Sequence, residues 1–493
     1  MSHKQDRMKK QFDMTKPRKF FWFPALLLAA CASYAQSILP EIVSATLRNT
    51  GLAETSLSAL VLPIQGGAPR LAHLEQRAMA PASTMKLATT LVALEELGPT
   101  FRWHTELLSQ NRIDAATLRG TLYLRGGGEP NLNWDGLRAM FRSLHAQGVA
   151  HIEADIVLDR SLYQPTRPDV GVPDFDEAPK AYYNVIPDAL VLNGNVIEFS
   201  LESNGQKTLV RTQPPLAGVL IDAALSLKDM PCDTWDDDWD APLVQPSSNS
   251  NSNITVVLRG AFPRNCKTRT RLSLLDRNLY IERFLQAFWQ ELGGTWKGRV
   301  KDGLTPPDAL LLVERNSDTL ADLVKPINKA SDNLMARTLY LTLGTQLPKE
   351  GRQDSTFLNA NATIHHWFNK NGIATEGLVM ENGSGLSRLE RISARQLASL
   401  LQLGARSNWY AEFASSFPIV AIDGAMRKRL RDSAAAGRAR IKTGTLRDAV
   451  AVAGYVRDVR NQDWVVVAFI NDPQASKGRP ALDALIDWVA SGR

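Results

Sequence analysis

The sequence has few of the residues that build metal sites and histidine-based catalytic triads. Its 493 residues include only three cysteines and seven histidines. Neither Cys232 nor Cys266 has His or Cys neighbours at the spacing of zinc ligands, so a zinc site is not predicted. The histidines do not cluster along the chain, and no histidine stands out as the base of a Ser-His-Asp triad. We therefore predict neither a metal site nor a cofactor.

Excess charge of one sign is also scarce outside the first residues. The formal net charge is +6, but residues 1–35 contain seven Lys or Arg and two Asp, which leaves +1 for the rest of the chain. A nearly neutral body offers no general electrostatic attraction to nucleic acid, so no nucleic-acid partner is predicted.

Residues 1–35 have the composition of an export signal. A basic segment precedes the apolar run Phe20–Ala35, which is too short, and too interrupted by Pro24, to span a membrane easily. Small residues at the end of this run predict cleavage before Gln36. The stretch "LAAC" also resembles a lipoprotein box, which would leave Cys31 lipidated, and an uncleaved anchor is a third alternative. All three place the body outside the cytoplasm, and we expect the periplasm.

The two remaining cysteines, Cys232 and Cys266, lie 34 residues apart. In an exported protein such a pair predicts a disulfide, with two unpaired buried thiols as the alternative.

The chain is too long for one ordinary domain, so two or three domains are expected. Strand and helix patterns in residues 36–100 and 276–493 predict one discontinuous α+β domain, an antiparallel sheet flanked by helices. Between them, residues 101–275 contain short strand-like runs separated by turns. We predict that this segment is a β-rich insertion.

The stretch "PASTMK" places Ser83 three residues before Lys86, at the start of a helical pattern. A serine nucleophile needs an adjacent base, and a lysine one turn further along the helix is on the same face. Burial beside another cation would lower the pKa of that lysine and allow it to act as the base. The pattern is weak alone, because serine is also a favoured helix N-cap.

Two further motifs favour the catalytic interpretation. "SDN" occupies Ser331–Asn333 and "KTG" occupies Lys442–Gly444. Together with S-x-x-K they form the signature of serine β-lactamases and penicillin-binding proteins. In this arrangement Ser331 would pass a proton between the base and the leaving nitrogen, and Asn333 would hold Lys86 and the substrate amide.

The third motif supplies substrate-binding groups. Lys442 would favour the neutral base and attract a terminal carboxylate, which Thr443 would bind by a hydrogen bond. Gly444 would let the substrate backbone lie against the strand. The backbone N–H groups of Ser83 and Thr445 would form the oxyanion hole.

The arrangement of the motifs resembles one particular family, the class C low-molecular-mass penicillin-binding proteins of peptidase family S13. Ser331 follows Ser83 by 248 residues. This family fills that gap with two extra domains, so the resemblance implies that residues 101–275 form two nested subdomains. Further stretches that resemble the family are "LRGGGEPNL" (Leu124–Leu132), "ALVLNGN" (Ala189–Asn195), "NGSGLSR" (Asn382–Arg388) and "KTGTL" (Lys442–Leu446). The resemblance therefore covers almost the whole chain after the leader.

The resemblance implies a penicillin-recognising α+β fold and D-Ala-D-Ala carboxypeptidase or endopeptidase activity on peptidoglycan stem peptides. It also implies that β-lactam antibiotics acylate Ser83. Two alternatives are a serine β-lactamase and a non-catalytic cell-wall scaffold. The long insertion argues against the β-lactamase, and the intact motifs argue against the scaffold. The oligomeric state is not predicted.

The sequence departs from the family pattern at three places. Asn382 and Glu129 stand where the family usually has Asp. The family also tends to carry a Trp-rich segment that ends in an acidic residue, which accepts the amine of a diamino acid in the stem peptide. Here the corresponding residues 171–179 contain no tryptophan. Asp176 is the best match for the acidic residue and Asp174 the second, with a solvated acidic loop as the alternative.

Overall fold

The computed structural model describes residues 38–246, 253–347 and 351–493. The predicted leader, its cleavage site and Cys31 lie outside the described residues. Within the described ranges, no helix combines the length and the apolar character that crossing a bilayer requires.

The helices and strands fall into three consecutive groups. The first group contains α1 (Glu41–Asn49), β1 (Leu57–Pro63), β2 (Leu71–His73), β3 (Ala78–Met79) and α2 (Lys86–Leu97). The second contains β4 (His104–Ser109), β5 (Thr117–Leu118), β6 (Leu122–Arg125), α3 (Trp134–Ala146), β7 (His151–Ile152), β8 (Ile156–Asp159), β9 (Ile197–Ser203), β10 (Thr208–Gln213), β11 (Val219–Lys228), β12 (Leu243–Pro246), β13 (Ile254–Pro263), β14 (Lys267–Leu272), α4 (Arg277–Glu291), β15 (Thr295–Trp296), β16 (Val300–Asp302) and β17 (Leu310–Asn316). The third contains α5 (Leu320–Lys329), α6 (Asn333–Gly344), α7 (Thr356–Lys370), β18 (Ile392–Ser393), α8 (Ala394–Arg406), α9 (Tyr410–Ser415), β19 (Ala439–Leu446), β20 (Ala449–Arg457), β21 (Asp463–Asn471) and α10 (Arg479–Ala490).

A five-stranded antiparallel sheet joins the first and third groups in the order β19-β20-β21-β1-β2. Alternate residues of a strand point to opposite faces, and both faces of this sheet are covered. Val465 and Val467 pack in the core that contains α2 and α5 to α8, whereas Val466 and Ala468 pack against α1 and α10. This double burial explains the continuous apolar run in β21. The predicted α+β sheet flanked by helices is confirmed.

The second group forms sheets of its own. One has five strands in the order β16-β8-β6-β4-β17, so strands at 300–316 pair with strands at 104–159. Helix α4 packs in the same core through Tyr280, Phe284 and Phe288. The sequence interpretation had assigned residues 276–316 to the discontinuous α+β domain. From this pairing we propose that the insertion extends to about residue 316.

A smaller unit is nested inside this region. Residues 197–272 form two three-stranded sheets, β10-β9-β14 and β11-β13-β12. The disulfide Cys232–Cys266 connects the segment after β11 to the start of β14, with the two Cα atoms 5.3 Å apart. The predicted disulfide is confirmed, and we propose residues 197–272 as the inner subdomain.

The second group is not only β-structure, because it contains α3, which the sequence interpretation did not predict. Asn133 caps α3 by accepting a hydrogen bond from the backbone N–H of Gly136 at 2.9 Å. Leu137, Phe141 and Leu144 are buried at helical spacing. Both signals are present in the sequence, but the surrounding strand-like runs obscured them.

Candidate active site

Ser83 lies on a tight turn immediately before α2. The turn Ala82–Met85 is a short 3-10 helix, and Ala82 has a φ of +46°, which is uncommon for a residue with a side chain. The start of α2 has no side-chain cap. Instead, Ser83 Oγ accepts a hydrogen bond from Lys86 Nζ at 3.0 Å. The serine is therefore presented to Lys86 and does not serve as a side-chain cap.

Lys86 has 0% of its surface exposed and makes three hydrogen bonds through Nζ. Besides Ser83 Oγ, it donates to Asn333 Oδ1 at 2.6 Å and to the backbone carbonyl of Ser384 at 2.5 Å. Asn333 Nδ2 in turn donates to the carbonyl of Tyr183 at 3.1 Å, which orients the amide with its oxygen toward Lys86. One of the two amide N–H donors of Asn333 thus binds the backbone of Tyr183 in the insertion.

Burial lowers the pKa of Lys86 well below its usual value of 10.5. The positive charges of Lys442 and Arg337 lower the pKa further, while the negative charges of Asp332 and Glu390 oppose this effect. The site therefore favours the neutral amine, which is the form that can accept a proton from a serine hydroxyl.

Ser331 and Lys442 form a second hydrogen-bonded pair. Lys442 Nζ donates to Ser331 Oγ at 2.8 Å and to the carbonyl of Thr443 at 2.7 Å. Ser331 lies between α5 and α6 with a φ of +61°. Lys442 is fully buried on β19, and burial lowers its pKa to about 7. Lys442 therefore titrates near neutral pH.

Gly444 has a packing role in addition to the predicted one. A Cβ atom at this position would lie 2.7 Å from the carbonyl oxygen of Pro81 and 2.9 Å from the backbone nitrogen of Ser83. Such distances are too short for a real contact, so only glycine lets β19 pack against the turn that carries Ser83. The glycine brings the strand to the serine, which is a requirement of the fold itself.

An open cleft of about 850 Å³ lies in front of these groups. Its lining includes Ser83, Asp176, Tyr183, Ser331, Asn333, Arg388, Thr445 and Arg447. Lys86 and Lys442 lie buried behind its wall, and Thr443 is half-buried beside Lys442. The structure therefore brings the three motifs to a single cleft.

The insertion contributes Asp176 to the same cleft. Its carboxylate accepts hydrogen bonds from Tyr183 Oη at 2.8 Å and from Asn184 Nδ2 at 2.7 Å. Asp174 instead lines a neighbouring cavity of about 1000 Å³. Arg388 and Phe175 line both spaces, and the Arg388 guanidinium donates to the carbonyl of Phe175 at 3.0 Å and lies over the Phe175 ring.

The two single-residue departures from the family pattern lie outside the lining of the cleft. Glu129 is buried and pairs with Arg315 at 3.0 Å. Asn382 accepts hydrogen bonds from the backbone N–H and the hydroxyl of Ser384, at 3.0 and 2.6 Å. Both residues therefore have local structural partners.

Several groups at the site were missed by the sequence interpretation. They include the carbonyls of Tyr183 and Ser384, and the hydroxyl of Tyr182, which donates to Asp332 at 2.7 Å. Arg337 also binds the carbonyls of Val185 and Leu386. Every residue has a carbonyl, so no local motif could have identified the ones that reach Lys86 and Asn333.

Comparison with known proteins agrees with the family resemblance of the sequence motifs. The family model described as the D-Ala-D-Ala carboxypeptidase 3 (S13) family matches residues 39–491. The chain is 25% identical to "D-alanyl-D-alanine carboxypeptidase DacB" of Haemophilus influenzae, over 80% of each chain. It is 26% identical to "D-alanyl-D-alanine carboxypeptidase" of Actinomadura sp., over 88% of this chain and 80% of that protein. The crystal structure of penicillin binding protein 4 (dacB) from Haemophilus influenzae has the same fold, with a TM-score of 0.73 and 22% identity, covering 91% of this chain and 98% of that chain.

Proposed function

Because this chain belongs to the D-Ala-D-Ala carboxypeptidase 3 (S13) family, we propose that Ser83 is the nucleophile of a D,D-peptidase. By family, the protein is a serine-type D-Ala-D-Ala carboxypeptidase. The observation that carries the assignment of Ser83 is its 3.0 Å hydrogen bond with Lys86, a buried lysine whose pKa is lowered. The reaction is hydrolysis of the terminal peptide bond in stem peptides that end in D-Ala-D-Ala.

In the acylation step, Ser83 Oγ attacks the carbonyl carbon of the penultimate D-Ala, and its proton moves to Lys86 Nζ. The negative oxygen of the tetrahedral intermediate is stabilised by the N–H groups of Ser83 and Thr445. The intermediate collapses as the C–N bond breaks, and Ser331 passes the proton held by Lys86 to the leaving amine, so that Lys86 is neutral again. Water then attacks the ester, Lys86 accepts a proton from the water, and this proton returns to Ser83 Oγ as the ester C–O bond breaks. Removal of D-Ala and cleavage of a cross-link differ only in the leaving amine.

Lys442 and Thr443 would hold the terminal carboxylate of the substrate, because Lys442 Nζ contacts Ser331 in the cleft lining and Thr443 follows Lys442 on β19. β-Lactams carry a carboxylate and a strained amide, so they would acylate Ser83 in the same way. A crystal structure of the Haemophilus influenzae protein is described as complexed with a β-lactam. We further propose export to the periplasm, where peptidoglycan is found.

The test is to incubate the mature protein with labelled penicillin and, separately, with a pentapeptide that ends in D-Ala-D-Ala. We expect long-lived label on the protein and release of D-Ala. Rapid turnover of penicillin without D-Ala release would indicate a β-lactamase instead. A folded protein with neither reaction would indicate a scaffold.

Asp176 is expected to select the substrate. We propose that its carboxylate binds the free amine of a diamino acid in the stem peptide, supported by its place in the lining of the cleft. Asp176→Asn should lower kcat/KM for the diamino-acid peptide by about tenfold or more, since hydrogen bonds to charged groups contribute about 1.5–3 kcal/mol. Penicillin acylation should stay close to the wild-type rate. Asp174→Asn is the matched control, and equal losses in both variants would contradict this role.

Activity is expected to fall above neutral pH. Burial places the pKa of Lys442 at about 7, so its positive charge is present below about pH 7 and is lost as the pH rises. The attraction for the substrate carboxylate should therefore weaken, and kcat/KM should fall above about pH 7. Arginine keeps its charge throughout this range, so Lys442→Arg should remove the fall even where it lowers the maximum rate. Parallel alkaline falls in the two proteins would rule out Lys442 as the titrating group.

A further inference from the structure

The turn formed by residues 381–386 packs against Lys86 and against the backbone that carries Ser83. Ser384 contributes the carbonyl that accepts a hydrogen bond from Lys86 Nζ at 2.5 Å, and the Gly383 carbonyl accepts one from Thr89 Oγ1 at 2.6 Å. A Cβ atom on Gly385 would lie 1.9 Å from the carbonyl oxygen of Ala82. The turn therefore touches both the lysine and the backbone that carries Ser83, and a displacement of the turn would displace both.

One buried carboxylate holds this turn in place. Glu390 has 1% of its surface exposed. Its Oε1 accepts three backbone hydrogen bonds, from the N–H groups of Glu381 at 3.1 Å, Asn382 at 2.9 Å and Gly383 at 2.8 Å. These are the three residues immediately before Ser384. A single oxygen atom thus fixes the backbone that leads directly to the carbonyl on Lys86.

The other oxygen of Glu390 is harder to explain as ordinary core packing. Oε2 is buried, and it has no hydrogen-bond partner among the described residues. Burying a carboxylate is costly, and a half-satisfied one costs more than an apolar side chain of similar size. The cost is explained if the three bonds to Oε1 serve the catalytic turn. The negative charge of Glu390 also acts on Lys86, opposing the effects of burial, Lys442 and Arg337 on its pKa.

We propose that Glu390 is a positioning residue for Lys86, acting through the 381–384 backbone that places the Ser384 carbonyl on Lys86 Nζ. The inference rests on the proposed function, in which Lys86 is the base. Glu390 lies outside all three sequence motifs and takes no part in the proton transfers described above.

The test compares the acylation of Glu390→Ala and Glu390→Gln by labelled benzylpenicillin. Rates are expressed per folded molecule, with the folded fraction taken from thermal melting. Alanine removes the acceptor of three N–H groups, and the resulting shift of the turn should slow acylation by about 100-fold, the cost of a 1 Å misplacement at a reacting centre. Glutamine keeps a carbonyl oxygen at the position of Oε1 and should restore a rate close to wild type. Glu282→Ala is the control, because it removes another buried carboxylate that accepts a backbone N–H, that of Val300 at 2.9 Å, outside the cleft lining; its rate per folded molecule should match the wild type.

A merely structural glutamate would lower the melting temperature without changing the rate per folded molecule. Wild-type acylation by Glu390→Ala would therefore overturn the inference, and so would equal losses in the alanine and glutamine variants. If the alanine variant does not fold, Glu390→Asp replaces it. The aspartate side chain is shorter by one C–C bond, about 1.5 Å, so its carboxylate lies further from the three N–H groups. Acylation slower in the aspartate than in the glutamine variant then supports the inference, and a wild-type rate in the aspartate variant refutes it. Wild-type protein that takes no label refutes the proposed function itself, and this inference with it.

Discussion

Replacing Ser83 by alanine is expected to abolish both D-Ala release and covalent labelling by penicillin. Removing the nucleophile of a serine hydrolase costs on the order of 10⁶ in kcat, because the remaining groups can only bind and polarise the substrate. The hydroxyl of Ser83 is half-exposed, and its hydrogen bond is to Lys86. Its loss should therefore leave the fold intact, and the melting temperature should stay near the wild-type value.

The control for this variant is Ser415→Ala, which removes an exposed hydroxyl on α9. Ser415→Ala should react with penicillin and peptide like the wild type. Residual stoichiometric labelling of Ser83→Ala would show that another residue is acylated, and the assignment of the nucleophile would fall.

Replacing Lys86 by methionine should produce the second-largest loss of acylation rate. Methionine has a similar volume but cannot accept a proton, so acylation should slow by about 10²- to 10⁴-fold, the usual contribution of a general base. The variant should still fold, because an apolar side chain avoids the cost of burying an amine. Two acceptors, Asn333 Oδ1 and the Ser384 carbonyl, lose their donor, and this loss should offset part of that gain in stability.

The control variant is Lys370→Met, which makes the same substitution at the exposed end of α7. That variant should acylate at the wild-type rate. Stopped-flow measurement of penicillin acylation, at several penicillin concentrations, separates a slower chemical step from weaker binding. An unchanged acylation rate in Lys86→Met would mean that another group takes the proton from Ser83.

The sequence was most informative where chemistry depends on short spacing. Ser83 and Lys86 are one helical turn apart, so their contact follows from helix geometry once the helix is recognised. The strands that carry Lys442 to Thr445 and the paired β20 and β21 were also predictable, because their apolar runs are long and end at clear turns. That the three motifs meet was implied by their resemblance to the signature of penicillin-binding proteins.

Contacts between distant segments could not be predicted in this way. Asn333 binds Tyr183 across 150 residues, and Lys86 binds Ser384 across 298 residues. The local patterns of α4 and β17 fit either domain, so the sequence alone does not fix the end of the insertion, and our proposed boundary near residue 316 is supported by strand pairing. For Gly444, the sequence indicated that a glycine was needed but not that Pro81 and Ser83 are the close neighbours.

The central claim is that a stem peptide forms an ester with Ser83. The most direct measurement is mass spectrometry of the protein quenched with acid during turnover of a pentapeptide ending in D-Ala-D-Ala, followed by digestion and sequencing of the modified fragment. The account predicts a peptidyl adduct that lacks the terminal D-Ala, located on Ser83, in an amount that matches the released D-Ala in the first turnover. D-Ala release with no adduct, or an adduct on another residue, would contradict it.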